Sequence, residues 1–221
     1  MSELILGIDT IGRGGAVALA DPAGVIGLQT HDPELGYAEE LFGLFDRLLE
    51  STGRTKQDLT AIAVLSGPGS FTGLRIGVMT AKTLAFALHL PLLAAPTLDV
   101  VAASQGPGRR TAVADAGGGH VWAGEFEVGE TVEAIGRVNR LMPGELGGEL
   151  VSVPPLDIGT QVEGLAGHLA LLAARARPPV VEVDPIALVP EYVSVSQAER
   201  THGVDLSEEL RRPIEPRGWD T

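Results

Sequence analysis

One stretch limits the folds open to this chain more than any other: Ser66-Gly67-Pro68-Gly69-Ser70-Phe71-Thr72-Gly73-Leu74-Arg75-Ile76-Gly77. An apolar run at 61–65 precedes it and a long helical pattern, roughly 72–90, follows, so the stretch reads as strand, glycine loop, helix. Glycine reaches positive φ cheaply and proline presets its own φ, so few other sequences could follow this path. Ser70 or Thr72 can cap the helix by accepting from its free N–H groups. A helix start of this kind favours an anion or a partner's carboxylate. It is not a P-loop, because Leu74-Arg75 stands where Gly-Lys-Ser/Thr would close one, and its glycine spacing is one residue too long for the dinucleotide fingerprint. Two readings stay open: a tight strand-to-helix turn, or a binding or docking surface.

The rest of the chain supplies a setting for that loop. Leu4-Ile5-Leu6-Gly7-Ile8 is continuously apolar and predicts a buried strand ending at Asp9-Thr10. Strands at 14–19 and 25–29 follow, joined by the turn Asp21-Pro22-Ala23-Gly24, which makes an antiparallel meander. A helix over about 37–51 carries Leu41, Phe42, Leu44, Phe45, Leu48 and Leu49 on an arc of roughly 160°, wider than the stripe of about 100° that lying on a sheet requires. After the strand at 61–65, the loop and the second helix comes a short strand at 92–94. The order βββαβα is half of the actin-like/Hsp70-like ATPase architecture, built on a ribonuclease-H-type sheet. Strands at 111–115, 121–128 and 132–138, with a hairpin turn at Gly117-Gly118-Gly119 and a helix at about 162–176, predict a second, shorter and degenerate lobe. The expected division is a lobe at 1–103, a smaller one at 104–197, and a polar tail at 198–221 that reads as extended or poorly ordered.

Composition narrows the chemistry. The net charge of −13 repels phosphate backbones, so the chain is a poor candidate for the main RNA-binding subunit. The pairs Arg109-Arg110 and Arg211-Arg212 could make local basic spots, and are read as ordinary solvated surface charge. There is no cysteine, so neither disulfide nor thiolate chemistry is available, in keeping with a cytoplasmic setting. No run approaches 18 uncharged apolar residues, and no membrane contact is expected. Asp9 and Thr10 occupy the place of the first phosphate loop of actin-like ATPases, but Ile11 follows where small hydroxyl and glycine residues usually wrap the phosphates. They are read as vestigial cofactor-binding positions, and no cofactor is expected. The five histidines show no pair at i and i+4, so no metal site is expected. No His or Lys stands near Ser70 or Thr72 in sequence to make either a nucleophile. On the second helix Arg75, Met79, Lys82, Phe86 and His89 align on one stripe. Aromatics, Met and Arg are the residue types enriched at interface cores. The alternative is that Met79 and Phe86 tuck under a neighbouring helix of the same chain.

The string from Gly67 to Gly77, followed by Ala81-Lys82-Thr83-Leu84-Ala85, resembles the signature of the TsaB (YeaZ) family, whose members assist TsaD in making threonylcarbamoyladenosine in tRNA. Ile8-Asp9-Thr10, Pro96-Thr97-Leu98 and Pro190-x-Tyr192 fall in the family's order. The resemblance is dense from residue 1 to about 103 and thin afterwards. It implies the same actin-like fold and a non-catalytic subunit. That subunit would pair with a TsaD-like catalytic partner, or with a second copy, through its first two helices. The interface positions would be Tyr37, Leu41, Phe42, Phe45, Arg75, Met79, Lys82, Phe86 and His89. A TsaE-like ATPase and a threonylcarbamoyl-AMP synthase would act alongside, with tRNA met only through the complex. TsaD-like relatives carry a metal-binding His-x-x-x-His pair where this chain has Thr97 and Val101. Tyr37 replaces a frequent His, Ser194 a usual Arg, and of a usual Asp-Ala-Arg only Asp115-Ala116 remains. Two alternatives are a small-molecule kinase or ATPase using Asp9 and the Gly67–Gly73 loop, and a self-associating peptidase-like protein.

Overall fold

In a computed structural model of the chain, the residues described are 3–11, 15–32, 37–153, 156–162 and 164–190. The expectations for Gly14, Pro154-Pro155, Tyr192, Ser194, Arg211-Arg212 and the 198–221 tail fall outside them, as does the side chain of Tyr37. In chain order the elements are β1 (Ile5–Asp9), β2 (Ala16–Asp21), β3 (Gly24–Thr30), α1 (Tyr37–Thr52), β4 (Ala61–Gly67), α2 (Phe71–Leu88) and β5 (Leu92–Pro96). Then come α3 (Thr97–Ala103), β6 (Gly108–Gly117), β7 (His120–Val128), β8 (Val132–Leu141), β9 (Leu150–Ser152), β10 (Thr160–Gln161), α4 (Leu165–Ala174) and β11 (Val181–Val183).

The first sheet runs β11-β5-β4-β1-β2-β3. β1, β2 and β3 form the antiparallel meander, with Asp21 Oδ1 accepting from the N–H groups of Ala23 (2.8 Å) and Gly24 (3.1 Å) in its turn. β4 and β5 join parallel to β1, which requires crossovers long enough to hold α1 and α2. Both faces of this sheet are covered, which is why its central strands read as unbroken apolar runs. Successive residues alternate between two cores: Leu6, Ile8, Ile62 and Val64 pack with Leu44, Leu48 and Val78 beneath α1 and α2. Ile5, Ala61, Ala63 and Leu65 pack on the opposite side with residues of α3 and α4.

The second sheet runs β10-β9-β6-β7-β8, an antiparallel meander with two parallel strands added beside its first strand. Without the short β11, the first sheet has the same order, so the chain builds one ribonuclease-H-type pattern twice. This is the actin-like fold with a degenerate second unit. No helix of full length crosses between β8 and β9, only a single 3₁₀ turn at Pro143–Glu145.

Several features depart from the reading of the sequence. The helix expected at 162–176 with the second lobe is α4, and it lies on the back of the first sheet against β1, β2 and β3. It can do so because its inner face is small: a Cβ on Gly7 of β1 would collide with the Ala166 carbonyl. β9, β10, β11 and α3 were not anticipated. Arg110 is not a solvated charge: it sits on the face of β6 shared with Ala112 and Ala114 and is only 4% exposed. Its Nη2 donates to the Pro107 carbonyl at 2.9 Å, while Nε and Nη1 are buried without a hydrogen-bond partner among the described residues. Arg109, one residue earlier, points outward and pairs with Glu125 at 2.7 Å.

Thr97, at the start of α3, is fully buried, and among the described residues its hydroxyl has no hydrogen-bond partner. A buried hydroxyl left unpaired costs about 1–3 kcal/mol. Thr97→Val keeps the shape and is expected to raise stability by about 1 kcal/mol, read as a higher urea midpoint at unchanged slope. A lower midpoint would mean that the hydroxyl does have a partner.

Candidate functional site

The glycine loop is a buttress before it is anything else. Gly67 ends β4 at φ 122°, a conformation open to glycine, and the Gly67–Pro68 peptide is cis. Ser70 caps α2, its Oγ accepting from the Gly73 N–H at 3.3 Å. Gly73 and Gly77, four residues apart, share one face of the helix, and Gly69 in the loop before the cap lies on the same side, toward Ile11. That face is pressed onto the end of β1: an added Cβ would strike the Ile11 side chain from Gly69, the Thr10 carbonyl from Gly73 and the Thr10 hydroxyl from Gly77. The Thr10 hydroxyl meanwhile donates to the Gly73 carbonyl at 2.6 Å.

Asp9 and Thr10 therefore do meet the signature loop, as packing partners. Asp9 is 7% exposed, and its Oδ1 accepts from the Ile11 N–H at 2.9 Å in a local turn. Burial pushes its carboxyl up to about 6, and the Ile11 hydrogen bond opposes this only in part. A carboxylate that holds a hydrated cation needs to be open to water, and this one is buried. Of the loop residues, Thr72 and Arg75 face solvent, and Phe71 is half-buried.

Thr97 and Val101, where relatives would carry imidazoles, are both buried in α3. Among the described residues, no group of three or more His, Cys, Asp or Glu side chains could hold a metal ion. Three surface cavities of 240–320 Å³ lie elsewhere: two on the second sheet, around Thr111 and Glu125, and one at the start of β1 beside Arg54 and Asp58.

What remains is the outer face of the two helices that cover the first sheet. Phe86 is 81% exposed, Met79 54%, and Phe42 on α1 50%. The alternative that Met79 and Phe86 tuck under a neighbouring helix fails on these exposures. Two interface candidates need correction: Leu41 and Phe45 are buried in the core beneath α1, because they occupy the centre of the apolar arc of which Phe42 is the flank. Arg75 is exposed. Lys82 is half-buried and donates from Nζ to the Leu188 carbonyl at 3.0 Å. His89 caps the C-terminus of α2 in the left-handed conformation, φ 54°. By length and composition α2 is apolar enough to cross a membrane. Here one side lies on a sheet and the other is free.

Sequence reasoning missed the anchor of α1. Glu40 in its first turn accepts from the Asp32 N–H (3.0 Å), lies 2.6 Å from His31 Nδ1 and pairs with Arg47 Nη2 (2.8 Å). The Asp32 N–H, with His31 and then Arg47, holds its carboxyl below the usual range. No periodicity signals such a contact, since His31 and Glu40 meet only once β3 and α1 are in place.

A family model described as tRNA N6-adenosine threonylcarbamoyltransferase (TsaD) matches residues 34–153. The tRNA threonylcarbamoyladenosine biosynthesis protein TsaB of Bacillus subtilis is 42% identical over 82 residues, 36% of each chain. The protein of the same name from Escherichia coli is 31% identical over 142 residues, 59% of this chain and 61% of that one. The chain thus matches between 36% and 61% of the length of these relatives. A crystal structure of an uncharacterized protein with similarity to peptidase YeaZ, from Pseudomonas aeruginosa, superposes with a TM-score of 0.69 at 26% identity, covering 87% of this chain and all of that one.

Two outcomes are expected. Gly73→Ala forces α2 off β1 and should cost about 1–3 kcal/mol. Gly43→Ala, in α1 where a Cβ meets only the mobile end of Arg47, should gain up to about 1 kcal/mol from helix propensity. Equal effects in urea denaturation would refute the close packing. Asp9 has a folded pKa raised above its unfolded value of 3.8. The folded chain therefore binds the proton more tightly, and stability falls as pH rises from about 4 through about 6. The loss levels off above that at about 3 kcal/mol. Asp9→Asn should abolish that slope and be the more stable protein at pH 8; parallel pH profiles would refute it.

Proposed function

The chain belongs to the tRNA N6-adenosine threonylcarbamoyltransferase (TsaD) family and within it to the TsaB (YeaZ) proteins, and from that premise we propose that it is a non-catalytic subunit of tRNA threonylcarbamoyladenosine synthesis. It docks on a TsaD-like catalytic subunit through the outer face of α1 and α2, and docking orders the partner's active site or its tRNA surface. A TsaE-like ATPase acts with the pair. The −13 chain leaves tRNA to the partner.

The observation that carries this reading is the free face of α2, where Phe86 and Met79 stand exposed between Arg75 and His89. Large apolar residues beside cations are what an interface core uses. The buried Asp9 weighs against the kinase or ATPase alternative.

Co-purification with a TsaD-like partner tests the proposal. Wild type should give a 1:1 complex, and Phe86→Asp should weaken it by at least about 2 kcal/mol, or roughly thirtyfold in Kd, while staying folded by circular dichroism. A wild-type chain that binds no such partner, yet gains thermal stability with ATP and hydrolyses it, would replace this reading with the enzymatic one.

A further inference from the structure

We propose that the outer face of the second sheet is a docking groove of its own, which takes a helix of another protein carrying leucine-type side chains flanked by lysine or arginine. This goes beyond the docking of α2 and does not rest on it.

The first reason is a helix that the repeated pattern leaves out. In the first sheet, residues 31–60 join β3 to β4 and supply α1, which lies on β2 and β3. In the second, residues 142–149 join β8 to β9 and supply a single 3₁₀ turn. That turn and the loop after β9 bring Leu146, Leu156 and Ile158 over Val113, Val121 and Ala123, which covers one end of the face. The other end stays open. There two cavities of about 320 and 280 Å³ share Thr111 and Glu125, so together they form one groove across β6, β7 and β8.

The second reason is what lines it. Ile135, 39% exposed, stands with Ala123, Leu141 and Leu146 along the larger cavity, an apolar wall for an incoming aliphatic side chain. A helix suits this face better than a strand suits its edge. Gly136, at φ 91°, and the break in pairing between Ala123 and Glu125 interrupt the β8 edge that a strand would need.

The third reason is charge. Glu125 pairs with Arg109, and Glu127 stands close enough to act on the same guanidinium. Glu127 also lies directly opposite Glu133 in the ladder of β7 and β8, a like-charge pair that costs stability while nothing offsets it. Glu149 lines the smaller cavity, and Glu145 the larger one beside Arg137. Carboxylates thus outnumber guanidiniums around the groove. A cationic segment gains from that surplus, and a phosphate backbone is repelled by it.

The full chain can be tested with a synthetic amphipathic peptide of leucine and lysine, about 18 residues long so that it forms a helix on docking. It should bind, and its counterpart with glutamate for lysine should not. Glu133→Lys with Glu149→Lys should weaken binding at least about tenfold. Glu3→Lys with Glu182→Lys makes the same change in net charge on exposed positions of the first lobe, and should leave binding within about twofold. Ile135→Thr should cost about threefold. Bound peptide should slow amide exchange over residues 132–149 and leave α1 and α2 as they were. Equal losses from the two lysine pairs would reduce the effect to net charge and overturn the proposal. Protection confined to α1 and α2, or no binding of the lysine peptide, would also overturn it. Phe86→Asp should not change peptide binding, so this groove and the docking of α2 can each fail alone.

Discussion

The distance between α2 and the end of β1 decides what this chain can present to the outside. Gly73 and Gly77 on one helical face, with Gly69 in the loop before it, let the backbone settle against Thr10 and Ile11, and the Thr10 hydroxyl fastens that contact to the Gly73 carbonyl. Once the glycine face is down, the rotation of the helix is set. Leu74, Val78, Ala81 and Ala85 turn into the core, and Met79 and Phe86 have nowhere to go but outward. The exposed apolar stripe follows from packing at the other side of the same helix.

Much of the first lobe was legible because it obeys simple periods. β1, β2 and β4 are covered on both faces and so appear as unbroken apolar runs, while α1 shows its arc and α2 its capping serine and glycines. What escaped notice did so for physical reasons. β9, β10 and β11 are two or three residues long, too short for any alternation to register. α3 has five of its seven residues buried, so it lacks the polar face that marks an amphipathic helix. The placement of α4 on the first sheet depends on Gly7 and Ala166 meeting across 159 residues, which no local pattern announces. Of the candidate site, the stripe on α2 was readable, but on α1 the sequence could not separate Phe42 outside from Leu41 and Phe45 inside. All three lie within one wide arc, and only the depth of the sheet beneath tells its centre from its edge.

The two sheets share one strand order, yet they differ in what covers them. In the first, helices fill both crossovers and both faces. In the second, a 3₁₀ turn replaces one helix, and β8 lies exposed along nearly its whole length at the sheet's edge. Gly136, at φ 91°, and a break in pairing between Ala123 and Glu125 interrupt that edge. Irregularity of this kind discourages another strand from adding on. The helix-covered lobe is the one that carries the exposed Phe42, Met79 and Phe86.

That asymmetry bears on chemistry. A phosphate-binding lobe needs an open loop at the end of its first strand and a carboxylate kept charged beside it. Here Thr10 and Ile11 pack against the glycine row, and burial opposes the ionisation of Asp9. The same close packing fixes α2 on the sheet, which suits the docking proposed for its outer face. A helix free to shift would lose more entropy on each association. In a strongly acidic chain, α2 carries Arg75 and Lys82 and no carboxylate, so the local field at its outer face differs in sign from the net charge.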